Sequence, residues 1–248
     1  MSGHSKWATI KHKKGAADKA RGKLFAKLIR QVEVAARQGG GDPESNPTLR
    51  TMFQKARVAS VPLDTIERAI KRGTGELDGV NYEAITYEGY GPNGVALLVE
   101  TLTDNRNRTG SEIRSLFTKN GGSLAEPGAV AWQFERKGVV FVDRSVDEDE
   151  VMLVGLEHGA EDIEDAGDGW RVTCPPTDTP ALRAAFEEAG FTVVDADVTM
   201  APTSTVAIAD ATGAKAVLRL IDVLDDHDDV QVVHSNVDIP DAILESVG

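Results

Sequence analysis

The sequence predicts an α+β protein: an N-terminal three-helix domain followed by two ferredoxin-like α+β domains, the third inserted into the second. Apolar residues recur at helical spacing from about Ala16 to residue 72, and the pattern becomes strand-like from Glu83 onward. Between Gly138 and Val198 the order is strand, helix, strand, strand, helix, strand, which is the split βαβ arrangement. A further strand, helix and strand across 204–237 complete a β-α-β piece that opens at Val95, so one domain is built from two separated segments. The expected divisions are 1–80, 81–136 with 203–248, and 137–202.

In the first helix, about Ala16 to Arg37, Leu24, Phe25, Leu28, Ile29, Val32, Ala35 and Ala36 share one face. Lys19, Lys23, Lys27, Arg30 and Arg37 share the opposite one, a row of cations expected to face outward. Gly39-Gly40-Gly41-Asp42-Pro43 ends this helix. Asn46 caps a second helix with Pro47 at its first position, and a third runs from Pro62 to Gly73. Strands at Ile85–Gly89 and Val95–Leu102 flank a turn. Its letters, GYGPNG, satisfy G-x-G-x-x-G, yet a dinucleotide fingerprint must follow a strand and open a helix, and a hairpin turn explains it. A helix over Arg106–Asn120 and a strand through Ala129–Phe134 come next.

The inserted domain has strands at Val139–Asp143, Asp162–Asp165, Trp170–Cys174 and Thr192–Val198, with helices over Asp147–His158 and Thr179–Ala189. Ser204–Ile208 reads as a strand, Thr212–Leu224 as a helix and Val230–Val237 as the last strand.

Charge is divided along the chain. Met1–Arg37 holds ten Lys or Arg and two acids, whereas the whole chain carries −13. Residues 81–248 hold 11 basic and 32 acidic residues, so the body repels nucleic acid and any binding concentrates near the N-terminus. Gly3–Lys14 has no helical period and mixes cations with Trp7; it reads as an extended arm that grips a backbone and stacks one ring. A solvated basic helix face remains the plain alternative for the helical part. No run is long and apolar enough for a membrane helix, and the single Cys174 excludes an internal disulfide and fits a reducing cytoplasm.

The second candidate site is Thr103 to Thr109, where a strand hands over to a helix and free backbone N–H groups stand beside Arg106 and Arg108. Capping accounts for Asp104 or Asn105. It does not account for two arginines at the positive end of a helix dipole. The third domain shares its topology with RNA-recognition sheets, but residues 137–202 carry four basic and sixteen acidic residues and lack paired stacking aromatics. Protein contact or spacing fits it better. Asp225-Asp226-His227-Asp228-Asp229 reads as a solvated acidic turn rather than a metal site, and Ser145 with the acids at 147–150 as a capping box. No P-loop, G-x-S-x-G, H-E-x-x-H or Cys pair is present, so neither catalysis nor a cofactor is expected.

GHSKWATIKHKK and RGKLFAKLIR, with TYEGYGPNGVALLVETLTDNRNRT at Thr86–Thr109, KNGG at Lys119–Gly122 and FERKG at Phe134–Gly138, resemble the YebC family, also called PmpR, over essentially the whole chain. Near the C-terminus, VQVVHSNVDIP departs from the family's usual wording at Val233 and His234. The resemblance implies a similar three-domain architecture and one of two working contexts: DNA-binding transcriptional regulation, or action on the translating ribosome at stalled elongation, notably at proline runs. The expected contact residues are Lys6, Trp7, Lys11, His12, Lys13, Lys14, Lys19, Arg21, Lys23, Lys27, Arg30, Arg106 and Arg108. The expected partner is DNA, rRNA or tRNA, possible protein contacts falling to the acidic domains. A cytoplasmic monomer without metal or cofactor completes the expectation.

Overall fold

The structure is a computed structural model that describes residues 17–247, with side-chain surroundings from residue 21 and without those of Asp241. The arm residues Lys6, Trp7, Lys11, His12, Lys13 and Lys14, and the side chain of Lys19, therefore lie outside the described residues. Helix α1 (Ala17–Gly39) buries Leu28, Val32, Ala35 and Ala36 against α2 (Pro47–Val58) and α3 (Leu63–Thr74). Leu24, at the head of the expected apolar face, stays exposed. Asn46 caps α2 by accepting the Leu49 N–H at 3.1 Å, and its amide donates to the carbonyls of Ala35 and Gly40, stitching the cap to the end of α1. A Cβ on Gly73 would stand 2.4 Å from the Glu33 carbonyl oxygen, so α1 and α3 meet at backbone contact only because that position has no side chain.

After a linker over residues 75–82, β1 (Glu83–Tyr90) and β2 (Ala96–Thr103) form an antiparallel hairpin in register from Glu83↔Thr103 to Tyr90↔Ala96. The Gly91–Gly94 stretch turns it, with Asn93 and Gly94 at positive φ, so the glycine pattern does not open a helix. Next come α4 (Arg106–Lys119) and a two-residue strand β3 (Ser123–Leu124) on the edge of β1.

A second sheet begins with β4 (Phe134–Asp143), then α5 (Glu148–Glu157), β5 (Asp162–Asp165), β6 (Gly169–Cys174), α6 (Thr179–Glu188) and β7 (Val193–Pro202). Its spatial order β5-β6-β4-β7, antiparallel throughout, is the ferredoxin-like order. Its core is aliphatic, with Phe186, Trp170 and Cys174 buried among valines and Leu182.

The chain then returns to the first sheet. β8 (Val206–Ala207) pairs in parallel with β10 (Val237–Asp238), while β9 (Val230–Ser235) lies beside β2 and completes the order β3-β1-β2-β9. Helix α7 (Ala211–Asp225) packs with α4 over one face of this sheet, burying Ile113, Phe117, Val217, Leu220, Ile221 and Leu224. The short α8 (Asp241–Val247) covers α7 through Leu244.

Three local expectations are corrected. Ala129–Phe134 is not a strand: the carboxylate of Glu88 accepts the N–H groups of Gly128, Val130 and Ala131 at 2.6, 2.7 and 2.9 Å, which takes them out of any ladder and rounds the chain into a 3₁₀ turn at Ala131–Gln133. The strand at Ser204–Ile208 shrinks to the two residues of β8. Ser145 forms no capping box; its N–H donates to Asp143 at the end of β4, and Asp147 stands at the N-cap without a side-chain bond. Helix α8 was not anticipated. The domain divisions at 80, 136 and 202 stay a proposal; strand pairing itself runs unbroken from Phe134↔Pro202 to Val139↔Asp197.

Candidate nucleic-acid interface

The cations of α1 do not all face outward. Lys23 donates to the Asp226 carbonyl at 2.8 Å and lies 3.0 Å from that residue's carboxylate. One turn on, Lys27 donates to the carbonyl and the carboxylate of Asp225 at 3.0 and 2.9 Å. Arg30 reaches the Asp228 carbonyl at 2.7 Å, Asp229 Oδ1 at 3.1 Å and the Leu102 carbonyl at 3.2 Å. Three side chains at i, i+4 and i+7 thus meet the C-terminal end of α7 and the turn after it. Unpaired carbonyls and the helix dipole concentrate negative charge there, and the aspartates add to it. The acidic run, although Asp226 and Asp228 stay exposed, is therefore more than a solvated turn, and Lys23, Lys27 and Arg30 are not a free row.

Arg37, the last of the expected stripe, turns to the linker and the end of α3, donating to the carbonyls of Val80 and Arg72. Buried Glu33 anchors the same place by accepting from Arg72 Nε at 2.9 Å and the Val80 N–H at 3.2 Å. Arg21 stays exposed, its guanidinium 6.0 Å from the Phe25 ring on its own helix.

The loop between β2 and α4 meets the same acidic turn. Asn105, not Asp104, caps α4 by accepting the Arg108 N–H at 3.1 Å. Arg108 Nη2 donates to Asp229 Oδ2 at 2.7 Å and to Asp104 at 3.0 Å, and these anions offset its place at a positive helix end. Arg106 remains outward, its side chain 69% exposed and 3.4 Å from Glu83. Behind the loop runs a buried polar chain. The Asn105 N–H donates to Thr103 Oγ1 at 2.9 Å, Thr103 and Thr109 share a hydrogen bond of 2.7 Å, and Thr109 donates to Asp229 Oδ2 at 2.6 Å. Burial pushes the Asp229 carboxyl up, but Thr109, Arg108 and Arg30 outweigh it and hold the group below its ordinary value.

Arg30, Tyr82, Arg108, Lys119 and the turn enclose an open cleft of about 670 Å³. On its wall the donor atoms of Glu112, His227 and Asp229 lie within 4.8 Å of one another, a spacing that could hold a cation. Their hydrogen bonds argue otherwise. The Asp229 N–H points at His227 Nδ1 at 3.1 Å, so Nε2 carries the hydrogen, which Glu112 accepts at 2.9 Å. Both Asp229 oxygens are already taken by Arg30, Arg108 and Thr109. The cluster is a hydrogen-bonded latch under the loop.

Among the described residues, cations without an ionic partner include Arg57, Arg68 and Lys71, which the sequence reading did not single out. The acidic turn's role also went unread, since its partners lie about two hundred positions away.

The fold and the charge layout define a class: a basic three-helix unit held by ionic contacts against two acidic antiparallel α+β sandwiches. Residues 5–76 match the TACO1/YebC protein N-terminal domain, and residues 82–237 match the TACO1/YebC second and third domain. The chain belongs to the TACO1/YebC family. It is 54% identical over its full length to a "Probable transcriptional regulatory protein" of Halothermothrix orenii, covering 99% of that protein. A protein of the same description from Mycolicibacterium smegmatis is 56% identical, with 98% of this chain and 97% of that one aligned. The crystal structure of a conserved hypothetical protein from Aquifex aeolicus is similar with a TM-score of 0.83 at 45% identity, covering 94% of this chain and 96% of that one.

Proposed function

We propose that this chain is a non-catalytic regulator of gene expression that binds nucleic acid through its N-terminal arm, with Lys19, Arg21 and Arg106 as supporting contacts. The observation that carries the reading is the division of charge: a strongly basic first 37 residues on a chain of net −13. The docking of Lys23, Lys27 and Arg30 onto the acidic turn supports placing the contact on the arm, because those three cations are already neutralised. The names of the relatives support transcriptional regulation, hence a DNA target. No helix among the described residues is long and apolar enough to cross a membrane.

Trp7 favours a second reading, contact with rRNA or tRNA on a translating ribosome, because an aromatic ring in a cationic arm stacks on unpaired bases. Binding of the full chain to duplex DNA and to single-stranded RNA separates the two. Tighter duplex binding, unaffected by Trp7→Ala, supports the DNA reading. Preference for the single strand, weakened by roughly 1–3 kcal/mol in Trp7→Ala, supports the RNA reading. Absence of binding to either at low salt would overturn both.

A further inference from the structure

Helix α5 of the second sheet breaks the pattern of a surface helix. Its inner side buries Val151 and Gly155 and half-buries Val154, as an amphipathic helix should. Its outer side is apolar too: Met152, Leu153 and Leu156 are 43, 66 and 64% exposed. At i, i+1 and i+4 these three form one stripe pointing away from the core. A helix with apolar side chains on its outer as well as its inner side departs from the ordinary surface pattern, and nothing among the described residues covers the outer stripe. Scattered exposed leucines need no explanation, whereas a contiguous stripe marks a contact surface.

The rim of the stripe says what would cover it. Asp149 continues the stripe toward the helix start, Glu148 lies along one edge, and Glu150 and Glu157, seven residues apart, lie along the other. All are exposed and have no ionic partner among the described residues. The helix dipole accounts for the acids of the first turn. It disfavours Glu157 in the last turn, where no basic residue compensates it. An apolar strip with a one-signed acidic rim, on a stretch with sixteen acids and four bases, has the anatomy of a docking face. This chain already uses the complementary pairing once, where the basic face of α1 meets the acidic turn after α7.

We propose that the outer face of α5 binds a basic amphipathic helix of a partner protein, aliphatic side chains of the partner covering Met152, Leu153 and Leu156 and its Lys or Arg residues pairing with the rim. A nucleic acid is disfavoured because the rim repels phosphate. This face shares no residue with the proposed nucleic-acid contact, and the two together would make the protein a bridge between a polyanion and a basic protein.

The test uses the full chain and, as probes, a Leu/Lys amphipathic helical peptide, a Leu/Glu peptide of the same pattern, and a Lys-matched peptide with the leucines replaced by Ser. The expected result is binding of the Leu/Lys peptide alone. The variant Leu153→Gln/Leu156→Gln should weaken it about tenfold or more with an unchanged melting temperature. Glu150→Gln/Glu157→Gln should reduce its salt dependence. Val194→Gln, at an exposed valine of β7, is the control and should change nothing. Equal binding by the leucine variant, or equal binding of the Ser-replaced peptide, would overturn the proposal. So would a melting temperature lowered by the leucine changes, which would make the stripe structural. A dimer that dissociates in that variant would show that a second copy is the occupant.

Discussion

Asp229 is only 4% exposed, yet its carboxylate is charged because Arg30 from one distant place in the chain and the neighbours Arg108 and Thr109 from another converge on it. The arrangement fixes a sign for pH dependence. A carboxyl held below its unfolded value contributes stability that is complete above that value, about pH 4, and is lost as pH falls through the folded value. Asp229→Asn should therefore reduce folding stability at neutral pH by on the order of 1–3 kcal/mol, seen as a lowered melting temperature. It should also flatten the loss of stability on acidification, as thermal unfolding between neutral pH and pH 3 would read. An unchanged acid limb would mean that other carboxyls, Glu88 and Glu100 among them, dominate it. At this scale the sequence is legible where the physics is local. Asn46 was readable as a cap because its target N–H lies three residues on. Asp229 was not, because its partners lie 120 and 199 positions away.

Helix α1 illustrates the same limit one level up. Its apolar face was legible from periodicity, and its basic face was too. Where that face points depends on the end of α7, a distant element whose negative charge only the fold brings into register. The strand expected at Ala129–Phe134 failed for a related reason: Glu88, some forty residues away, captures the backbone donors a ladder would have used. The contact between α1 and the acidic turn is polar, and the apolar cores on its two sides are separate clusters. Ion pairs of this kind weaken with salt, most of all where they are exposed. Lys23→Ala/Lys27→Ala should accordingly loosen the docking while leaving both cores folded. Cleavage of the linker between Thr74 and Glu83 by a nonspecific protease should become faster in that variant, and wild type should approach it in about 1 M salt. Equal cleavage rates under all conditions would show that the buried contacts of Glu33 and Arg37 hold the unit by themselves.

On the scale of the whole molecule, opposite charges are gathered at opposite ends of the sequence and then partly folded onto one another. The ferredoxin-like order of the second sheet was legible because its elements follow one another in the chain, each with its own period. The first sheet was harder, since β9 joins it from a hundred residues beyond β3. The partial self-neutralisation yields a prediction that separates the two groups of N-terminal cations. Each phosphate contact made by a free cation releases counterions, so removing it lowers the slope of log K against log salt by about 0.9 on duplex DNA or about 0.7 on a single strand. Lys11→Ala/Lys13→Ala/Lys14→Ala should show that reduction up to three times over. Arg106→Ala, at an exposed guanidinium, should reduce the slope by one such step with nearly unchanged thermal stability. Lys23→Ala/Lys27→Ala should leave the slope unchanged, because those ammonium groups are held by Asp225 and Asp226 in the free protein. A reduced slope in that last variant would mean that nucleic acid displaces the acidic turn from α1, and that the interface extends along the helix face which the folded chain now covers.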